Sequence, residues 1–441
     1  MTDRIKVLEK FEQQKEYTKS RVEAGIEQNR KGTVLINVTQ DGKPVSNAKI
    51  RLKQKTHEFK YGANLFMLDE METEEKNKKY REYFKDCFNM ATLPFYWSDL
   101  EPEKGKQRYE KGSPKIYRRP PIDLCIEFCE ENGIEPREHG LAYDFFFPKW
   151  LSKTNLQENK RELERRFKEI SERYADKINT IEVTNEHEWP LRGMSPLYAS
   201  DDYLEFCYSL AEKYFPTNEL VINEGTDLWH AQGTQRDKYY AIIENTLLKG
   251  KRIDAIGMQF HMFFGRDIEY KETRLKYDPQ CLFRMLDLYS KLNKPLQITE
   301  ITIPAYSNDA EDEEIQAKII ENLYSIWFSH PNVEQIIYWN LVDGYAAFAP
   351  MGDMTAGENY FYSGLIRHDM TPKPAYYKVK ELFEKKWHTD AVITTDEDGK
   401  TYFRGFYGKY DVEVEKDGKT YTNEISLSKN YFDYDGIKIE L

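Results

Sequence analysis

Residues 179–186 read NTIEVTNE, and how this run is read decides the fold. Ile181, Val183 and Thr184 give it the apolar, β-branched character of a buried strand, and it stops on two polar residues, Asn185 and Glu186. Upstream lies NLQENKRELERRFKEISERYADK, residues 155–177, a charged stretch with apolar residues at helical spacing. The same alternation recurs along the chain. Short apolar runs stand at KYGANL (60–65), DCFNMAT (86–92), IEPREHGLAY (134–143), ELVINE (219–224), IDAIGMQFH (253–261), LQITEIT (296–302) and EQIIYWNL (334–341), separated by helical stretches such as EDEEIQAKIIENLYSIWFSH (311–330). A strand reached through a helical crossover must lie parallel to its neighbour. Eight such units between residues 59 and 387 predict an α/β fold, a (β/α)8 TIM barrel. An open doubly wound sheet is the alternative, but no Gly-rich turn follows the first strand.

The flanks read differently. Residues 1–30 predict one amphipathic helix, with Gly32 in the left-handed position just past its end. Residues 31–58 predict a hairpin about Asp41-Gly42, and 388–441 alternate apolar and polar residues around Asp398-Gly399 and Asp417-Gly418. A two-stranded ribbon is barely stable alone, so the N-terminal hairpin and the C-terminal strands are expected to join as one small accessory β module.

Composition excludes several classes. The formal net charge is −12 and no long Lys/Arg run exists, which argues against a nucleic-acid partner. The five cysteines are odd in number and lack metal-type pairing with His, so packed, reduced thiols are expected. Neither an apolar signal core nor a membrane-length apolar stretch occurs, which sets the expectation of a cytoplasmic protein, or a secreted one if a leader has been removed. Nothing in the sequence fixes the oligomeric state.

In a barrel of this kind the C-terminal strand ends carry function. Glu186 ends the fourth strand and Glu300 lies in the seventh, LQITEIT. A carboxylate emerging from an apolar run costs several kcal/mol unless it is paired or functional. Two carboxyls across one barrel mouth are the equipment of glycosidic bond cleavage; the bland alternative pairs each with Arg or Lys to hold a loop. The sixth strand ends with Gln259 and His261, beside Glu300, and the eighth with Trp339, a floor for a sugar ring. Asn223 and Glu224 end the fifth. His187, Glu188 and Trp189 read as a solvated loop behind Glu186, and DAEDEEIQ (309–316) as a solvated helix start.

These residues resemble glycoside hydrolase family 10, the retaining xylanase-type enzymes. EVTNE is similar to the family's acid/base strand, QITEITIP to its nucleophile strand and IDAIGMQFH to its sixth strand. NMATLPFYWSDLEPEKGKQRY, REHGLAYDFFFPKWL, IIYWNLVDGYAAF and GLIRHDMTPKPAYYKVKEL resemble the second, third and eighth strand regions and the final helix. The resemblance implies Glu186 as general acid/base, Glu300 as nucleophile, Asn185 on the sugar 2-hydroxyl, His261 supporting Glu300 and Trp339 beneath the sugar. It implies a carbohydrate substrate and no metal or organic cofactor. Two stretches depart from the family pattern. In TLPFYW (92–97) only Trp97 remains of the sugar-gripping Glu-Asn-x-x-Lys-Trp, and Tyr143-Asp144 replaces a Trp-His pair. The expected activity is retaining hydrolysis of β-glycosidic bonds in a plant-type polysaccharide or its oligosaccharides, xylanase-like without singling out xylan. The alternative is a catalytically retired, carbohydrate-binding or regulatory barrel.

Overall fold

The computed structural model describes residues 3–188, 195–430 and 436–441. Eight parallel strands close into a barrel: Lys60–Asn64, Met90–Pro94, Glu135–His139, Thr180–Asn185, Glu219–Glu224, Ala255–His261, Leu296–Thr302 and Val333–Tyr338. Each pairs with the next in the chain, and the eighth returns to the first through Gln335 and Lys60. All eight apolar runs picked out in the sequence therefore contribute strands, in the expected order. Helices follow them at Glu74–Cys87, Ile122–Asn132, Leu156–Tyr174, Tyr203–Tyr214, Lys238–Leu248, Pro279–Tyr289, Ala310–Ser329 and Pro374–Glu381.

Leu156–Tyr174 illustrates why these segments are helical. Asn155 caps it by accepting from the Glu158 N–H at 3.1 Å, and Leu163, Phe167, Ile170 and Tyr174 fall on one buried face. Burying each such side chain contributes about 1.5–3 kcal/mol. Thr73, Asp237 and Asp278 cap three other helices in the same way. The glycine in KYGANL is required by closure: a Cβ on Gly62 would stand 2.1 Å from the Met90 carbonyl oxygen of the neighbouring strand.

The accessory strands form two facing sheets. Lys31–Gln40 pairs with Lys400–Phe406, Ile437–Glu440 and the short Lys43–Pro44; Lys49–Gln54 pairs with Asp390–Thr394 and Gly408–Lys416, which in turn pairs with Lys419–Leu427. Val34, Ile36 and Val38 of one sheet meet Ile50, Leu52, Val412 and Val414 of the other in one core. The expected N-terminal hairpin is thus only partly realised. Asp41 and Gly42 do adopt φ of 50° and 70°, but pairing ends just past Pro44: the Val45 N–H donates to the Val38 carbonyl (2.9 Å) while the Val38 N–H turns to the Gly399 carbonyl (2.8 Å), and the second run crosses to the other sheet. Asp398-Gly399 likewise links strands of different sheets, whereas Asp417-Gly418 turns a true hairpin.

The N-terminal helix is also not single. A 3-10 turn, Asp3–Leu8, and two helices, Glu9–Gln13 and Lys15–Asn29, are separated at Gln14, whose side chain bonds Asp278 (2.9 Å) and the Gln280 N–H (3.2 Å) on the barrel. Gly32 lies within a strand, where a Cβ would meet the Tyr407 ring at 2.6 Å. Arg30 ties module to barrel by donating to the carbonyls of Phe328, His330 and Val333, beside Phe328 stacked on Trp387 (4.1 Å). The acidic helix start is not solvated either: Asp312 pairs with Arg4 and Arg266, and Glu313 with Arg367, all buried at the carboxylate. All five cysteines are buried and unpaired, and no described helix is long and apolar enough to cross a membrane.

Candidate active site

A cleft of about 870 Å³ opens at the C-terminal end of the barrel strands, lined by residues that include Glu186, Glu300, His139, Tyr143 and Trp339. Strand ends place its carboxyls. Glu300 sits in the continuously buried seventh strand, and Glu186 follows the fourth with φ of 49°, a left-handed turn that aims the side chain off the strand path. The sixth strand makes room between them. A Cβ on Gly257 would lie 2.3 Å from Asn223 Oδ1, so only glycine lets Asn223 occupy the barrel interior beside Glu300.

One amide joins the two glutamates. Gln259 Nε2 donates to Glu186 Oε1 at 3.2 Å and to Glu300 Oε1 at 2.9 Å, so those oxygens are at most about 6 Å apart. Asn223 Nδ2 donates to Glu300 Oε1 (3.1 Å) and to Asn185 Oδ1 (2.9 Å). Gln259 also reaches Asn185 Oδ1 at 3.2 Å, leaving the Asn185 amide nitrogen to donate into the cleft. His261 Nε2 meets Glu300 Oε2 at 3.2 Å while its Nδ1 is 2.8 Å from the Thr302 hydroxyl. Burial lowers the His261 pKa to about 4, so a neutral ring donates from Nε2 to the carboxylate. The Tyr143 hydroxyl donates to Glu186 Oε2 at 2.6 Å. Trp339 packs edge-on to His139 and Phe66, both at 5.3 Å between centroids.

Residues 53–382 match the profile of glycosyl hydrolase family 10. The chain belongs to that family. Among its relatives, an anti-sigma-I factor, RsgI6, of Acetivibrio thermocellus is 26% identical over 415 residues, covering 92% of this chain and 48% of that protein. Endo-1,4-beta-xylanase B of Thermotoga neapolitana is 24% identical over 74% of this chain and 88% of its own length. The chain thus spans about half of the first relative and most of the second. The solved xylanase 10B of Thermotoga petrophila RKU-1, in complex with xylobiose, shares the fold with a TM-score of 0.58 and 22% identity, over 75% of this chain and 95% of that one.

Within this family 10 barrel, eight sequence-selected residues converge: Glu186, Glu300, Asn185, Gln259, His261, Trp339 and Tyr143 line the cleft, and Asn223 is buried immediately beneath it. Two do not. Trp97 starts a short helix outside the cleft, buried against Phe147 and Trp150 with its Nε1 on Glu101 Oε2 (2.9 Å); its neighbour Tyr96 faces the cleft instead. Asp144 is buried at the start of a helical turn, while Phe145 and Phe146 line the cleft. In a loop, alternation no longer tells which neighbour faces inward. His187 is not solvated: its side chain is 6% exposed, Nδ1 stands 3.2 Å from Glu224 Oε2, and burial lowers its pKa to about 3. Glu188 is partly buried and its N–H donates to Glu224. Trp189 lies outside the described residues.

A charged group beneath the site went unread in the sequence. His139 Nδ1 is 2.7 Å from Glu182 Oε1 and 4.0 Å from Glu300 Oε1, its Nε2 is 2.9 Å from the Tyr96 hydroxyl, and Arg137 Nη2 lies 2.6 Å from Glu182 Oε2. Burial opposes the charge on His139, but the carboxylates of Glu182 and Glu300 outweigh it and raise its pKa. Burial, reinforced by Glu182 and Glu186, pushes Glu300 up to about 8, and the His139 cation opposes that push. Three ionisable residues in a row in EPREH, inside a barrel strand, are the sequence signal that would find it. Among the described residues, no three His, Cys, Asp or Glu side chains stand together as metal ligands would.

Proposed function

We propose that the chain is a retaining β-glycosidase acting on xylan-type polysaccharides or their oligosaccharides. The observation that carries this reading is the shared Gln259 amide, which keeps the nearest oxygens of Glu186 and Glu300 within about 6 Å. Double displacement needs carboxyls about 5–5.5 Å apart, whereas inversion needs about 6.5–9.5 Å to admit a water. Glu300 Oε1 already accepts from Asn223 and Gln259, and among the described residues Oε2 meets only His261, so Oε2 is the oxygen we assign to attack at the anomeric carbon. These donors and the His139 charge favour the carboxylate form that burial opposes. Glu186 gives its proton to the departing glycosidic oxygen, leaving a neutral glycosyl ester on Glu300. It then takes a proton from the water that opens the ester, and gives it back at the next turnover.

A second reading has its own support. The match to the anti-sigma-I factor extends over 92% of this chain, so it takes in sequence flanking the barrel. A regulatory barrel that binds glycan without turnover fits that extent. Turnover of an activated aryl β-xyloside by wild type and by Glu300→Gln tests both. A loss of at least 10³-fold in the variant supports the glycosidase; comparable rates reject it; and a wild type that binds β-glycans but hydrolyses none favours the regulator.

A further inference from the structure

Arg118 is an unneutralised guanidinium in the wall of this cleft. It is 4% exposed, lines the cavity with Arg119, and forms no ion pair among the described residues. Arg119, by contrast, is neutralised by Asp99 at 2.7 Å and lies over the Tyr96 ring at 4.1 Å. Arg118 donates through Nη1 alone, to Asn340 Oδ1 (2.9 Å) and the Tyr345 carbonyl. Its Nε and Nη2 find no acceptor among the described residues, and neither is sealed from solvent. Glu358, also in the cleft wall, acts on it from beyond ion-pair distance.

Position and backbone single it out further. Its Cζ lies 5.5 Å from the Phe66 ring, and Trp339 packs on the same ring at 5.3 Å, so the guanidinium sits beside the proposed sugar floor. Its φ is 63°, a left-handed conformation unusual for a residue with a long side chain. Burying an unpaired guanidinium is expensive, and a planar pair of open N–H donors matches a carboxylate in bidentate fashion. Sugar hydroxyls would not neutralise the charge; a carboxylate would.

We propose that the cleft takes an acidic glycan, one that carries a uronic acid carboxylate, and that Arg118 binds that carboxylate. The inference rests on the glycan reading of the cleft but not on turnover. The test is calorimetric binding of two uncleavable thio-linked β-oligosaccharides to the wild-type chain, identical except that one ends in a uronic acid and the other in the corresponding hexose. The acid should bind at least tenfold more tightly, and Arg118→Gln should abolish that advantage, with Arg118→Lys retaining part of it. Equal affinities, binding of neither ligand, or an advantage that survives Arg118→Gln overturns the proposal. The wild-type comparison stands even if a variant fails to fold. Hydrolysis of the oxygen-linked counterparts is measured separately: an acid preference without hydrolysis rejects the glycosidase and keeps the inference, and hydrolysis without preference does the reverse.

Discussion

Replacing Gly257 with alanine would strike the candidate nucleophile without touching it. The new methyl would stand 2.3 Å from Asn223 Oδ1, 2.9 Å from its Cγ and 3.0 Å from its Cβ. Contact becomes ordinary only from 3.4 Å, so the Asn223 side chain must retreat by about 1 Å. That retreat breaks its 3.1 Å bond to Glu300 and its 2.9 Å bond to Asn185. Misplacing a reacting group by about 1 Å costs on the order of 10²-fold in rate, or about 2.7 kcal/mol of barrier. The loss should fall chiefly on kcat with an aryl β-xylobioside, because the displaced amide holds Glu300 directly while Asn185 keeps its 3.2 Å bond to Gln259, and overpacking should cost about 1–3 kcal/mol in stability. Asn223→Ala removes the atoms the methyl collides with most closely. The double variant should therefore be no slower than Asn223→Ala alone, a strongly non-additive cycle. Wild-type kcat in Gly257→Ala, or a double variant slowed by the product of the single effects, would refute the reasoning.

Three further outcomes are expected. His57, packed among Tyr61, Phe383 and Phe406 where the module meets the barrel, has its pKa lowered by burial to about 4. Because the folded state takes up that proton less readily than the unfolded chain, its contribution is complete above pH ~6.5 and lost as pH falls toward 4, by roughly 3 kcal/mol. Urea denaturation at pH 7 and 4.5 should show a smaller drop in His57→Gln, and an unchanged drop counts against the assignment. Trp97→Phe should cost about 1–3 kcal/mol through its lost bond to Glu101 while leaving glycan affinity as it was; weakened binding would return Trp97 to the site. Phe348, 73% exposed and edge-on to Phe145 at the cleft rim, is placed to stack on a longer chain. Phe348→Ala should raise KM for oligosaccharides several-fold but not for an aryl monosaccharide, and equal effects on both would exclude a rim platform.

The barrel strands are legible because a strand covered on both faces must be apolar along its length, and the helices between them carry their own spacing and caps. The strand-end residues Asn185, Gln259, His261 and Glu300 are legible for the same reason: polarity at the edge of an apolar run is conspicuous. Trp97 and Asp144 mislead because both follow a strand by several residues, where neither period applies and burial depends on how the loop folds back. The His139–Glu182–Arg137 group escapes for another reason. Its charges are compensated across two strands that are 45 positions apart in sequence at Arg137 and Glu182, a pairing that only the closed barrel displays. Arg118 belongs with these, since an arginine in a polar loop looks solvated until the loop is seen to fold into the cleft.

The strand Lys31–Gln40 precedes the barrel, yet its partners are Lys400–Phe406 and Ile437–Glu440, so roughly 360 residues must be made before its first long pairing can form. At typical synthesis rates of about 5–20 residues per second, that is a wait on the order of tens of seconds. During it Val34, Ile36 and Val38 have no sheet to cover them, although every barrel strand has already left the ribosome's active centre. Assembly of this chain is therefore ordered from the middle outward, with an early strand left as a hazard for pairing between nascent chains. Its last strands close the fold by returning to where it began.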